Sequence, residues 1–249
     1  NLLVANYYGL KREQVMVGNG AAEIIKALVE NTTGTIGMVS PSFDEYRNRA
    51  RSEQLKIFTP ENTDFSYTAD DLITFFGGEK LSMLLLINPD NPSGNFIPIV
   101  DVLRLAQWCK ERSIIFVLDE SFVDFADTAE PSSLLDQEVL KRYDNLVVIK
   151  SISKSFGVPG LRLGVLASTN ADVLSMIGKE LAIWNINSFG EFFMQIWGKY
   201  RSSYTHALTS LKEARKNLVV SLQELGWMHV MHSEANYLMC ELKDGMSAN

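Results

Sequence analysis

Apolar runs alternate along the chain with segments whose apolar residues recur at helical spacing, the pattern of a sheet with crossover helices. Strands are predicted at Gly34–Val39, Leu81–Ile87, Ile114–Leu118, Leu146–Lys150 and Leu163–Ala167. Helices are predicted at Ala21–Glu30 and at Ser42–Ser52, the latter opened by the capping-box pair Ser42 and Glu45. A third, Ile99–Arg112, sets Ile99, Val102, Leu103, Ala106 and Cys109 on one face. Residues 206–225 read as a long helix with Leu208, Leu211, Leu218, Leu222 and Leu225 on an inner stripe, stopped by Gly226. A strand over Ala235–Leu242 follows, and a unit that opens with one helix and one strand reads as truncated.

Composition mainly excludes. The 249 residues are 46% apolar and 21% charged, an ordinary globular balance able to build a large core. A net charge of −7 gives no basic footprint, so nucleic acid is not an expected partner. The longest apolar runs, Met83–Ile87 and Ile114–Leu118, cover five residues each, against about 20 for a membrane span. No signal peptide is visible at Asn1, and a chain opening on Asn reads as trimmed. Cys109 and Cys240 have no paired spacing, which fits free thiols in a reducing cytoplasm.

Chemistry collects after three of the strands. Asn88-Pro89-Asp90-Asn91-Pro92-Ser93-Gly94 follows the first, Asp119-Glu120-Ser121-Phe122 the second, and Ser151-Ile152-Ser153-Lys154 the third. Ligands of open α/β sheets bind beyond the carboxyl ends of the strands. If these strands are parallel neighbours, Asn91, Asp119 and Lys154 reach one edge. Gly18-Asn19-Gly20-Ala21-Ala22 leads from Val15–Val17 into a helix, where small residues let a phosphate approach free N–H groups. Arg162 adds a charged fork, and Ser151 and Ser153 add hydroxyls.

Each signal also has a plainer reading. Asn, Pro and Gly dominate ordinary turns, an Asp at a strand end is commonly a cap, and a lone Lys is commonly solvated. The four together, in this order, favour a site. Rival motifs fit poorly. Ser151-x-x-Lys154 matches an acylating serine signature, but no Ser-Asp-Asn or Lys-Thr-Gly follows. Gly18-x-Gly20 lacks the third glycine of a dinucleotide fingerprint, Glu23 standing in its place. His206, His229 and His232 lie late in the chain without zinc-type spacing, so no metal is expected.

Asn88–Gly94, Asp119–Phe122 and the run Ser151-Ile-Ser-Lys-Ser-Phe-Gly-Val-Pro-Gly-Leu-Arg-Leu-Gly164 closely resemble class I/II aminotransferases of fold type I, which depend on pyridoxal 5'-phosphate (PLP). Within them the chain is similar to histidinol-phosphate aminotransferases and threonine-phosphate decarboxylases, from Tyr7–Gly20 through Asn236-Tyr237. The resemblance implies that Lys154 carries the cofactor as a Schiff base and that Asp119 pairs with the pyridinium nitrogen. It further implies that Asn91 bonds the ring hydroxyl and Phe43 stacks on the ring. Gly20, Ala21, Ala22, Ser151, Ser153 and Arg162 then form the phosphate cup. Such a lysine condenses with an aldehyde only when neutral, which burial and nearby charge would favour.

The implied fold is an α/β large domain of fold type I over 1–204, a mostly parallel mixed sheet with helices on both faces. The start of a truncated small C-terminal domain then occupies 205–249. Two departures matter. Phe122 stands where many aminotransferases place a tyrosine, and with Trp184-Asn185-Ile186-Asn187 it looks like the decarboxylase branch. The arginine that clamps the substrate carboxylate in the family would lie beyond Asn249, and the tyrosine-bearing N-terminal arm before Asn1. The first expectation is transamination between an amino acid or amino phosphate and a 2-oxo acid. Decarboxylation of a phosphorylated amino acid is the second, and a PLP-fold binding domain within a larger fusion protein the third. A cytoplasmic homodimer is expected, with Trp184–Phe193 buried against the second subunit.

Overall fold

The computed structural model describes residues 1–128 and 133–243. Seven strands form the main sheet: β1 Val15–Asn19, β2 Thr35–Val39, β3 Leu55–Phe58, β4 Leu81–Ile87, β5 Ile115–Asp119, β6 Leu146–Lys150 and β7 Leu163–Ser168. Their spatial order is β1-β7-β6-β5-β4-β2-β3. Only β7 runs against its neighbours, antiparallel to both β1 and β6. The rest pair in parallel, with Ile87 beside Asp119 and Asp119 beside Ile149.

The described helices are α1 Leu2–Tyr8, α2 Ala21–Glu30, α3 Asp44–Arg49, α4 Ala69–Phe76 and α5 Ile99–Glu111. After them come α6 Gln137–Arg142, α7 Ile152–Ser155, α8 Ala171–Glu180, α9 Ser188–Ile196 and α10 Arg201–Glu224. Crossovers place helices on both faces, so the central strands must be apolar on both sides. Leu84, Leu86, Phe116, Leu118 and Val148 face one core with Leu72 and Phe76 of α4 and Val102 and Leu105 of α5. The alternate residues Met83, Leu85, Val117, Val147 and Ile149 face the other core, with Ile24 and Leu28 of α2 and Leu174 and Ile177 of α8.

The expected α/β sheet is therefore present, with local corrections. Gly34 (φ 92°) and Ile114 precede their strands. The helix expected over Ser42–Ser52 is only α3, and its capping box does not form. Ser42 Oγ instead donates to Asp90 Oδ1 at 3.1 Å, and Glu45 pairs with Arg49 at 2.8 Å. The strand expected from Ala235 forms only over β9, Cys240–Leu242, paired antiparallel with β8, Met228–Val230. Both cysteines are free.

The long helix begins at Arg201 and ends as expected before Gly226 (φ 76°). Its leucine stripe is an inner one only at its start, where Leu208 and Leu211 pack on Phe122, Phe125 and Ala235; Leu218 is 51% and Leu225 48% exposed. Leu211, Leu218 and Leu222 line a groove with Tyr237, Leu238 and Cys240. Periodicity shows that a helix has an apolar face, not that another element covers it. None of the described helices is long and apolar enough to cross a membrane.

Candidate active site

The carboxyl ends of β4, β5 and β6 open onto one cavity of about 220 Å³. After β4 the chain is held in its turn by Asn88, whose side chain donates to Ile97 O and accepts from Ile97 N, both at 2.8 Å. Gly94 closes that turn at φ 75°, its N–H donating to Asp90 O at 2.8 Å. The plain turn and the site are thus one feature, since the turn delivers Asn91 to the cavity wall.

After β6, α7 winds a single turn, with Ser155 N donating to Ser151 O at 3.0 Å. That turn presents Lys154 to the cavity, where Nζ lies 4.9 Å from the ring centres of both Phe43 and Phe122. The burial expected around this amine is not supplied by the described residues, for Lys154 is exposed. Ser153 Oγ accepts from Leu163 N at 2.8 Å and fastens the turn to β7.

The anion side is built by close approach. A Cβ on Gly164 would sit 2.3 Å from the Ala21 nitrogen, so only glycine lets β7 pass the start of α2. Gly20 (φ 77°) donates its N–H to Arg162 O at 2.8 Å, and a Cβ there would sit 2.5 Å from Arg162 Nη2. Arg162 itself adopts φ 52°, an uncommon conformation for a side-chain-bearing residue. The guanidinium and the first N–H groups of α2 therefore converge on a space kept clear of side chains, suited to a phosphate.

At the far side Asp119 is buried. Oδ1 accepts from Ser121 N at 3.0 Å and Ser121 Oγ at 2.5 Å, and Oδ2 accepts from Tyr46 Oη at 2.7 Å. Burial pushes its carboxyl above the usual range, while those donors and the Lys154 charge pull the other way. Asp119 has no ion pair among the described residues, so a cation entering the cavity beside it would offset that burial.

All ten residues singled out in the sequence lie at or beside this cavity. Ala21, Ala22, Phe43, Asn91, Asp119, Ser151, Ser153, Lys154 and Arg162 line it, and Gly20 backs Arg162. His229 and His232 pair with Asp64 and Glu234, away from it.

Three contributors were missed. Tyr46 lies 73 positions from Asp119, although a tyrosine three residues after Phe43 on a short helix could have been asked where its hydroxyl goes. Ser121 stands inside the Asp119–Phe122 motif, where its letter alone assigns it no partner. Asp90 is buried, accepts from Ser42, Ser93 and the Asn91 N–H, and so ties the Phe43 loop to the Asn91 turn. Burial raises its carboxyl to about 7 against those donors.

Residues 2–247 match the family model for aminotransferase class I and II. The chain belongs to the class I and II aminotransferase family.

A CMP-5'-(3-aminopropyl)phosphonate synthase of Streptomyces rubellomurinus is 30% identical over 99% of this aminotransferase-family chain, which covers 38% of that protein. Histidinol-phosphate aminotransferases and L-serine phosphate decarboxylases match at 24% to 29% identity. Across these curated relatives the chain spans 38% to 66% of their length. The structure of a decarboxylase from Sulfurospirillum multivorans superposes with a TM-score of 0.89 at 27% identity, covering 99% of this chain and 71% of that one. Histidinol-phosphate aminotransferase from Sinorhizobium meliloti in complex with pyridoxal-5'-phosphate shares the fold, with a TM-score of 0.79 at 20% identity over 98% of this chain and 65% of that one. The fold is therefore fold type I, and the cofactor of this family member is PLP. The residues present fit it: a lysine amine, a cleared anion cradle with an arginine, and a buried carboxylate without an ion pair.

Proposed function

We propose that the chain forms the PLP-binding part of an enzyme acting at the α-carbon of a small amino acid that bears a phosphate or phosphonate. We propose further that the reaction is loss of the α-carboxylate as carbon dioxide. Phe122 supports this choice, being the feature that looks like the decarboxylase branch. It is buried, holds Tyr237 edge-on at 5.0 Å, and sets an apolar ring 4.9 Å from Lys154 Nζ. A substrate carboxylate placed against such a wall would be poorly solvated, and its departure would disperse the charge. The substrate class is supported by relatives named for an aminopropylphosphonate, histidinol phosphate and serine phosphate.

When bound, the cofactor supplies an aldehyde for the substrate amine and a protonated ring that withdraws electrons from the α-carbon. In this reading Arg162, Ser151, Ser153 and the N–H groups from Gly20 to Ala22 hold its phosphate. Asp119 would keep the ring nitrogen protonated, Asn91 would bond the ring hydroxyl, and Phe43 would pack on the ring. Lys154 would bind the cofactor covalently and would hold and deliver a proton at its Nζ.

Transamination is the second reading, favoured by the family description and by the same lysine. Lys154 would then serve as the base that takes up the α-proton at its Nζ. The full-length protein, given O-phosphoserine, O-phosphothreonine and a panel of 2-oxo acids, should release carbon dioxide without forming a new oxo acid. Oxo-acid formation without carbon dioxide would select transamination.

The proposal also includes a cytoplasmic homodimer in which residues 1–204 hold the cofactor and 205–249 belong to a smaller domain. Trp184, Phe189 and Phe192 are 93%, 78% and 59% exposed, leaving an apolar surface uncovered in this chain. Ile186 and Phe193, in the same stretch, already pack on the core of this chain. Light scattering at micromolar concentration should give a dimer; a monomer would contradict it.

A further inference from the structure

We propose that Tyr46 is a positioning residue for the cofactor ring, holding the Asp119 carboxylate in the orientation in which it meets the ring nitrogen. The inference rests on the reading of Asp119 as the partner of that nitrogen.

The geometry is specific. Tyr46 is 2% exposed and gives its hydroxyl to one carboxylate oxygen, Oδ2, at 2.7 Å. Ser121 occupies the other oxygen with both its N–H and its Oγ. Donors on both oxygens leave the carboxylate little freedom to rotate about its terminal bond, so the lone pairs that remain are fixed in direction. The phenol acts as a donor, since burial and the neighbouring Asp119 charge push its ionisation far above the ordinary range.

Tyr46 also shares α3 with the start of the cofactor wall. Phe43 is the residue immediately before that helix, and the two rings meet edge-on with centres 6.5 Å apart. The backbone joins them, since Tyr46 N donates to Phe43 O at 3.4 Å. One short turn thus fixes the aromatic face proposed to lie on the ring and the donor that orients the carboxylate at its edge. A buried tyrosine hydroxyl needs some partner, and here that partner is the buried acid that lines the cavity and has no ion pair among the described residues.

Tyr46→Phe removes the hydroxyl and keeps the ring. Binding to the full-length apoprotein is measured by fluorescence quenching for two probes, pyridoxal phosphate and its 1-deaza analogue, in which carbon replaces the ring nitrogen. Affinity for pyridoxal phosphate should fall about tenfold, as for a lost hydrogen bond to a charged group, while affinity for the deaza analogue stays within about twofold. In an Asp119→Asn background the Tyr46→Phe change should leave pyridoxal phosphate affinity within the same margin. Equal loss for both probes would make Tyr46 merely structural, and no loss for either would make its hydroxyl irrelevant; both overturn the proposal. If Asp119→Asn alone leaves pyridoxal phosphate affinity and cofactor absorption unchanged, the reading of Asp119 fails and this inference with it.

Discussion

Lys154→Ala in the full-length protein should abolish the visible absorption of covalently held cofactor and lower turnover by at least about 10²–10⁴-fold. Its melting temperature should change little. The side chain is exposed, and its recorded contacts are with the faces of Phe43 and Phe122, worth little at an exposed site. Lys150, four residues earlier, should behave in the opposite way. It is fully buried, pairs with Asp124 at 2.8 Å and approaches Glu120 at 3.7 Å. Tyr204 of α10 donates to the same Asp124 at 2.8 Å. Lys150→Met would strand buried carboxylates at a cost of about 3–5 kcal/mol, so destabilisation rather than loss of the cofactor bond is its primary effect. Circular dichroism melts and absorption spectra of both variants separate the two lysines. A Lys154 variant that keeps the absorption would end the assignment.

Asp119→Asn should cost turnover on the order of 10³-fold, the scale of a lost preorganised charge, without loss of folded stability. The sign follows from burial. Asp119 has a folded-state carboxyl raised above its ordinary value. Its contribution to stability is therefore present below the unfolded pKa and is lost as pH rises through the folded one. At neutral pH the charged form is a burden on the apoprotein, and asparagine, which can still accept from Ser121, removes it. The melting temperature of the apo variant should equal or exceed that of the parent at neutral pH, and the difference should shrink on acidification. Turnover within threefold of the parent would make Asp119 a structural residue.

The strands that build the site were legible because they are buried on both faces. Leu81–Ile87 and Leu146–Lys150 read as near-continuous apolar runs, and their ends were found to the residue. Leu55–Phe58 was not seen: it is an edge strand, half-buried throughout, with Lys56 in its middle. Val15–Asn19 was noticed only as a lead-in to the anion turn, because Gly18 and Asn19 are weak strand formers. The antiparallel β7 could not be told from a parallel strand, since direction is a property of the connection and leaves little trace in residue type.

At the site, residues that line the cavity were easier to find than residues that hold them in place. Lys154, Asp119, Asn91 and Arg162 stand in distinctive motifs beside strand ends. Tyr46 and Asp90 act through contacts 73 and 48 positions away, which no local spacing announces. The motif around Lys154 set it apart from Lys150, and burial adds that Lys150 is a structural amine.

Borohydride reduction of the full-length protein with bound pyridoxal phosphate, followed by peptide mass mapping, tests the central claim most directly. The account predicts a single phosphopyridoxyl label on Lys154, absent from the Lys154→Ala variant. A label on Lys150 or any other lysine, or none on a protein that binds the cofactor, would contradict it.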